Sequence, residues 1–405
     1  MSKTLQGVRV LEVAEYAMAP SATAILSDWG ADVIKVEHPV RGDAIRGLVA
    51  YGIVPGTGGF DGMWETFNRG KRSIGLDLQT ERGMSILRRL AARADVFVTS
   101  FLPSLRLRLG VDLEQMRAIN PRLVYARASA HGPLGPEAGR GSFDALAYWH
   151  RSGAAMQATP ERADELVTLP GPAFGDVQSG MALAGGIAAA LFHRERTGEA
   201  TTVDMSLLGA GLWAIQASLY GADVAQRDML PRANQKAAIS PLSNNYATKD
   251  GRRIAVSMLQ SDRYWATFCR LAGRDELATD PRFIDIEQRA KNNVACIAEL
   301  DALFAARTFE EWMELLGRQE GQWAPVLMAS ESACDPQVRA NGYVQDVDYG
   351  DGRRVQMVAT PVQFDEEAPR LRPAPGLGAN SEEVLLELGM DWPEIAALKD
   401  DGIIP

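Results

Sequence analysis

The sequence is poor in the residues that build metal and disulfide sites: its 405 residues hold three cysteines and four histidines. Cys269, Cys296 and Cys334 are odd in number, far apart and without a Cys-x-x-Cys pair. That pattern argues against a disulfide framework and a zinc site, and fits a reducing cytoplasm. No apolar run approaches the roughly 18 residues of a spanning helix. The N-terminal stretch MSKTLQGVRVLEVAEYA has neither the unbroken apolar core nor the cleavage site of a signal peptide. A protein neither secreted nor membrane-spanning is expected. There is also no stripe of basic residues: lysines and arginines are scattered singly and in pairs in a chain of formal net charge −10. Neither nucleic acid nor an anionic membrane is therefore expected as the main partner.

What is present is enough apolar residue, 46%, to fill more than one core. Val8–Val13 reads as a buried strand, Ser21–Trp29 as a helix closed by Gly30, and Asp32–Glu37 as a second strand. Ser73–Leu78, Val96–Thr99 and Leu123–Ala128 read as further strands, with helices over Glu81–Ala94 and Leu113–Ile119 between them. Such alternation predicts an α/β fold, a Rossmann-like doubly wound large domain with a parallel sheet. The turn after the first strand, from Ala14 to Pro20, contains no glycine. A dinucleotide pyrophosphate requires a glycine-rich turn there, so a nicotinamide or flavin enzyme is set aside. A polar segment from Asp223 to Ser243 leads to a hairpin around Asp250-Gly251 and to helices near Tyr264–Ala272, Asn293–Ala306 and Phe309–Gly317. The expected organisation is a large domain over 1–222, a smaller α+β domain over 223–330, and a segment 331–405 that returns to the large domain and ends in a helix over Ser381–Leu388.

The most distinctive stretch is Gly171-Pro172-Ala173-Phe174-Gly175-Asp176-Val177-Gln178-Ser179-Gly180. It sets one carboxylate among glycines just ahead of a long apolar helix over Met181–Arg194. Free N–H groups and partial positive charge at a helix start favour an anion or a developing oxyanion. Two readings of Asp176 follow from the residues alone, a helix cap or a nucleophile.

Five strings in order make the chain similar, almost end to end, to the family III coenzyme A transferases. They are Leu5-Gln6-Gly7-Val8-Arg9-Val10-Leu11-Glu12, Trp29 to Pro39 (WGADVIKVEHP), Asn68-Arg69-Gly70-Lys71-Arg72-Ser73-Ile74, the Gly175-Asp176 loop, and Asp280-Pro281-Arg282-Phe283. The resemblance implies a CoA-transferase that moves CoA from an acyl-CoA thioester to a carboxylic acid through a covalent intermediate on Asp176. CoA would be a co-substrate, with no tightly bound cofactor and no metal. The resemblance also implies an interlocked homodimer, in which the connections between domains encircle the partner. At an ordinary pKa of about 3.9 the carboxylate would be ionised without a base. Gly175 and nearby main chain are candidate oxyanion donors.

Carried over residue by residue, the resemblance implies that His38 and Leu76 lie against the adenosine. Ser100 and Phe101 fall at the carboxyl edge of the sheet, where doubly wound folds bind ligands. Arg108 and Leu109 match an arginine and an apolar residue beside the CoA phosphates, with Arg140 a further candidate. The chain departs from the pattern in several places. The family's acyl-CoA racemases have a histidine where this chain has Phe143, before Asp144, and a phenyl ring cannot move a proton. An acyl-CoA racemase or a non-catalytic CoA-binding protein are the alternatives; Phe143 weighs against the first and Asp176 against the second. His150 lies in a segment that the family packs as a helix, so a structural histidine is expected, while His131 follows a strand end near the site. Leu377-Gly378-Ala379-Asn380-Ser381 replaces the family's Gly-x-His-Thr string. The glycine-rich run of formyl-CoA transferase is missing from 232–245, and the Phe143–Gly153 text resembles the subgroup acting on larger aryl or branched hydroxy acids.

Overall fold

The computed structural model describes residues 4–48, 60–161, 163–228 and 235–405. Two compact units emerge, one of residues 1–157, 167–229 and 335–405, the other of residues 158–166 and 230–334. In the first unit six strands, β1 (Arg9–Val13), β2 (Asp32–Glu37), β3 (Arg72–Gly75), β4 (Val96–Thr99), β5 (Val124–Ser129) and β6 (Thr202–Ser206), form one sheet in the order β3-β2-β1-β4-β5-β6. All five pairings are parallel. The order is the doubly wound one, with the crossover between β1 and β4, and the α/β expectation is met.

Successive side chains of a strand point to opposite faces, and the core divides accordingly. Val10, Val33, Val96, Val98, Val124 and Ala126 face helices α1 (Met18–Asp28) and α7 (Phe174–Thr197). Leu11, Val36, Ile74, Phe97 and Tyr125 face the other layer. There lie α3 (Glu81–Ala91), α5 (Leu113–Ile119) and the C-terminal helices Ser381–Glu387 and Trp392–Asp400. The remaining helices of this series are α2 (Gly62–Asn68), α4 (Pro103–Leu109) and α6 (Ala154–Ala158). Burial on both faces is why the strands read as nearly continuous apolar runs.

Several element bounds differ from those expected. Helix α1 starts at Met18, not Ser21, because Pro20 sits in a first turn whose N–H groups need no helical partner. The β3 strand begins at Arg72 and ends at Gly75, so Leu76–Leu78 leave it. Leu76 then donates its N–H to Glu37 O at 2.8 Å. The helix expected from Met181 starts at Phe174, which places Asp176 inside its first turn. Helices α1 and α7 approach closely, since a Cβ on Gly180 would stand 2.7 Å from Ser21 and 3.0 Å from Met18 O.

The second unit holds an antiparallel sheet of Ser243–Ala247, Arg253–Ser257 and Trp323–Pro325, with the expected hairpin turning at Gly251 (φ 79°). Helices Ser261–Leu271, Asn293–Ala305 and Phe309–Leu316 enclose a core of Tyr246, Trp265, Phe268, Phe304 and Trp312. Cys269 and Cys296 are buried in it and Cys334 is exposed. Residues 229–234, part of the polar segment and of the stretch compared with the glycine-rich run, lie outside the described residues.

Candidate active site

The strand ends that frame the site rest on buried charge. Glu12 occupies a core-facing position of β1 on the α1 side, fully excluded from water, and pairs with Lys35 Nζ of β2 and Lys71 Nζ, each at 2.7 Å. Thr23 Oγ1 of α1 donates to the same carboxylate at 2.5 Å. Lys35 pairs with Asp43 at 2.8 Å, and Asp43 Oδ1 accepts the N–H of Tyr16 at 3.0 Å. Burial by itself would raise the Glu12 carboxyl, yet the two ammonium groups overcome it and hold the group at about 2. Much of what makes the first three strings recognisable (Glu12, Lys35, Glu37, Asn68, Lys71, Ser73) is therefore an internal ionic framework. Its outlet is the turn after β1, where Tyr16 takes a left-handed φ of 68°. Glu15 and Ser100 clamp that turn with reciprocal hydrogen bonds at 3.1 and 3.3 Å.

Two abutting cavities of about 540 and 800 Å³ open on the carboxyl edge of the sheet and share Glu15, Tyr16, Ser100, Phe101 and Leu102. The larger brings together His38, Leu76, Ser100, Phe101, Arg108 and Leu109, six positions on four separate segments. His38 Nδ1 accepts the N–H groups of Val40 and Arg41 at 3.2 and 3.4 Å. That leaves Nε2 as its free ring nitrogen. Leu76 is buried and Arg108 is exposed, with no ion pair among the described residues. Arg140 does not join this group; it lines the smaller cavity and is paired with Glu137 at 3.0 Å.

The smaller cavity holds Asp176. As a third-position residue of α7 it could cap the helix, but its carboxylate accepts no hydrogen bond among the described residues, so capping does not explain it. Burial raises its pKa and the charge of Asp144 adds to this, together bringing it to about 7. The expectation of an ordinary, fully ionised carboxylate is thereby corrected, because no cation among the described residues offsets the burial. The role of Gly175 also changes. Its N–H donates to Asp144 Oδ2 at 3.1 Å and is not available to an oxyanion. Glycine is required there for space, since a Cβ would stand 2.6 Å from the Tyr148 ring. Of the first turn, the N–H groups of Phe174 and Asp176 remain without partners among the described residues.

Asp144 was legible only as the neighbour of Phe143. In the structure it is buried and caps one turn of π-helix, Ala145–Arg151, while holding α7 through Gly175. Phe143 is exposed on the cavity wall, edge-on to Tyr16 at 5.2 Å between ring centres. His150 is exposed, not packed: the π-turn rotates it outward, where Nδ1 contacts Ala145 O. His131 lines neither cavity, although its neighbours Ala130 and Gly132 line the smaller. Asn380, in the string that replaces Gly-x-His-Thr, accepts the N–H of Ser73 at 3.0 Å and so ties the C-terminal segment to β3. Sequence reasoning missed Tyr16, Glu15, Arg106 and Arg127, which line the Asp176 cavity. The glycine-free turn that excluded a dinucleotide was the signal for the first two.

Comparison with known proteins bears on this arrangement. The chain is 29% identical over 401 residues to the (R)-2-hydroxy-4-methylpentanoate CoA-transferase of Clostridioides difficile, covering 99% of each. It is 31% identical over 396 residues to the succinate–glutarate CoA-transferase of Agrobacterium fabrum, covering 95% of each. Among solved structures it resembles a CaiB/BaiF family protein from Brucella suis with a TM-score of 0.80 at 28% identity, covering 96% of this chain and 100% of the other. The model of CoA-transferase family III matches from residue 5 to residue 381, so the chain belongs to that family and is a CoA-transferase.

Proposed function

We propose that the protein moves CoA from an acyl-CoA thioester to a free carboxylic acid through a covalent intermediate on Asp176. The observation that carries this reading is a carboxylate on the first turn of α7, unspent on capping, in a cavity that abuts the one gathering His38, Leu76, Phe101 and Arg108. Asp176 attacks the thioester carbonyl; the carbon–sulfur bond breaks, giving an acyl-aspartyl anhydride and CoA thiolate. The thiolate attacks the aspartyl carbonyl, which releases the first acid and leaves aspartyl-CoA thioester. A second carboxylate displaces CoA to form a new anhydride, and the thiolate takes its acyl group, returning Asp176 to a carboxylate. A pKa near the working pH suits a group that must attack and then leave. Each oxyanion needs donors, and the unpartnered N–H groups of Phe174 and Asp176 stand at the positive end of α7.

In this reading His38, Leu76, Ser100, Phe101, Arg108 and Leu109 hold CoA as a co-substrate, the arginine by contact with phosphate. Arg140 belongs to the acyl side. Phe143 leaves the racemase reading without one of its two proton-transfer groups. We also assign a homodimer. The helix Gln216–Ala225 buries no residue within its own chain, and with the preceding helix it exposes Trp213, Tyr220 and Val224, the apolar face a partner copy would cover. A cytoplasmic location agrees with the free cysteines and with the finding that no described helix is long and apolar enough to cross a membrane.

Incubation with an acyl-CoA followed by hydroxylamine should modify Asp176, seen by mass on the peptide spanning Gly171–Gly180. Asp176→Ala should abolish transfer without unfolding the protein. An adduct elsewhere, or transfer by the alanine variant, rules the mechanism out.

A further inference from the structure

Of the three arginines that line the Asp176 cavity, Arg127 is paired with Asp204 and Arg140 with Glu137, whereas Arg106 has no acid partner among the described residues. Helix α4 separates the two cavities: Leu105, Arg108 and Leu109 line the larger, Pro103 and Arg106 the smaller. Residues two apart on a helix point about 200° apart, so the two arginines of this helix serve different cavities. Arg106 is half-buried, and its Nη1 donates to Phe101 O at 2.5 Å, which fixes the side chain. It makes no ion pair among the described residues. The acid beside it is already committed. Arg127 and Asp204 face each other across β5 and β6, and both oxygens of Asp204 accept from Arg127, at 2.6 and 2.8 Å. That carboxylate is taken up by Arg127 and makes no ion pair with Arg106. Burial works against the charge on Arg106 and Arg127 adds to the effect, against favourable pulls from Tyr125, Asp204 and Asp112. Glu15, also on this lining, is pushed toward its neutral form by burial and by Asp43. An uncompensated guanidinium facing a cavity is stabilised by an anion, and a carboxylate suits its fork of donors.

We propose that Arg106 binds the far carboxylate of a dicarboxylic acid whose other carboxylate reacts at Asp176, so that this enzyme uses dicarboxylates. The proposal rests on the reading of Asp176 as the acyl carrier. It assigns the CoA phosphates to the Arg108 cavity and the substrate's second anion to the Arg106 cavity.

The test uses the full-length enzyme with acetyl-CoA as donor, whose acyl group has no second carboxylate, and paired acceptors of equal length, succinate against butyrate and glutarate against pentanoate. The wild type should prefer the dicarboxylate of each pair. In Arg106→Gln the ratio of kcat/KM for glutarate to that for pentanoate should fall about 10- to 100-fold, the loss of a charge-assisted contact. Arg106→Lys should restore part of it, and the KM for acyl-CoA should not move. Equal losses for both acids with a raised KM for acyl-CoA would show that Arg106 holds a CoA phosphate. An unchanged ratio, or no transfer to any dicarboxylate, would equally overturn the proposal. Hydroxylamine trapping on Asp176 with butyryl-CoA, run on the same preparations, reads the nucleophile alone and separates its failure from that of Arg106.

Discussion

Glu12, fully buried, and Asp176, half-buried on a cavity wall, are carboxylates of the doubly wound unit that are perturbed in opposite directions. Burial raises the proton affinity of each. Around Glu12 two lysines more than offset that, so the group is held near 2 and stays charged throughout the physiological range. Around Asp176 no cation among the described residues stands close enough to offset it, and the nearby charge of Asp144 acts with burial, to about 7. The partner, not the burial, decides the sign. A satisfied buried charge fixes the strand ends and, through Asp43, the Tyr16 turn, while an unsatisfied one on a cavity wall suits the nucleophile proposed for Asp176.

Removing the charge of Glu12 breaks the satisfied side of this comparison. Glu12→Gln leaves Lys35 and Lys71 facing each other in the core, and stripping one member from a buried ion pair costs about 3–5 kcal/mol. Denaturant unfolding should show that loss at neutral pH. A change below about 1 kcal/mol would mean that the network relaxes around neutral glutamine. Because the folded pKa of Glu12 is depressed, its contribution is present above its unfolded value and is lost as pH falls toward 2. The wild-type advantage over the variant should shrink in that window.

These two sites also differ in how far they could be read from the chain. The parallel strands were legible from apolar runs between helices, and Asp176 stood out because one acid lies among glycines before a small-residue helix. The strings Leu5–Glu12 and Asn68–Ile74 were legible as a pattern but not as a network, since an ion pair between β1 and the segment before β3 joins residues 59 apart. The hydrogen bond from Gly175 to Asp144 spans 31 residues and depends on a π-turn that no periodicity announces. The pKa of Asp176 follows from that contact and from burial. Local sequence therefore pointed to the proposed nucleophile, whereas its tuning is a tertiary property.

The second prediction concerns a charge set out for a ligand. Arg108 is exposed at the larger cavity and has no acid partner among the described residues, so its removal disturbs no internal pair. Arg108→Ala should weaken acyl-CoA binding by about 1.5–3 kcal/mol while leaving unfolding unchanged. Michaelis constants for an acyl-CoA should rise by one to two orders of magnitude, roughly, with little change in kcat. An unchanged constant would make Arg108 a solvated surface residue and leave the phosphates without their best cation.

The smallest effect sharpens the comparison most directly. As the proposed nucleophile Asp176 must be ionised to attack, so with a pKa of about 7 the free enzyme should lose activity on the acid side. The kcat/KM should fall about tenfold per pH unit below 7 and level off above it. Glu12, held near 2, contributes nothing to the profile across this range. Asp144→Asn removes the neighbouring charge while its amide oxygen can still accept from Gly175, and the midpoint should move to lower pH. The stability sign is opposite to that of Glu12. A raised carboxyl pKa destabilises the folded state fully above about 7 and not at all below the ordinary value of 3.8. Asp176→Asn should accordingly stabilise the protein at pH 8 and lose that advantage toward pH 4. A profile flat from pH 5 to 8, with no pH-dependent gain in stability, would show that water or an unseen donor reaches the carboxylate and that the contrast with Glu12 is one of pairing alone.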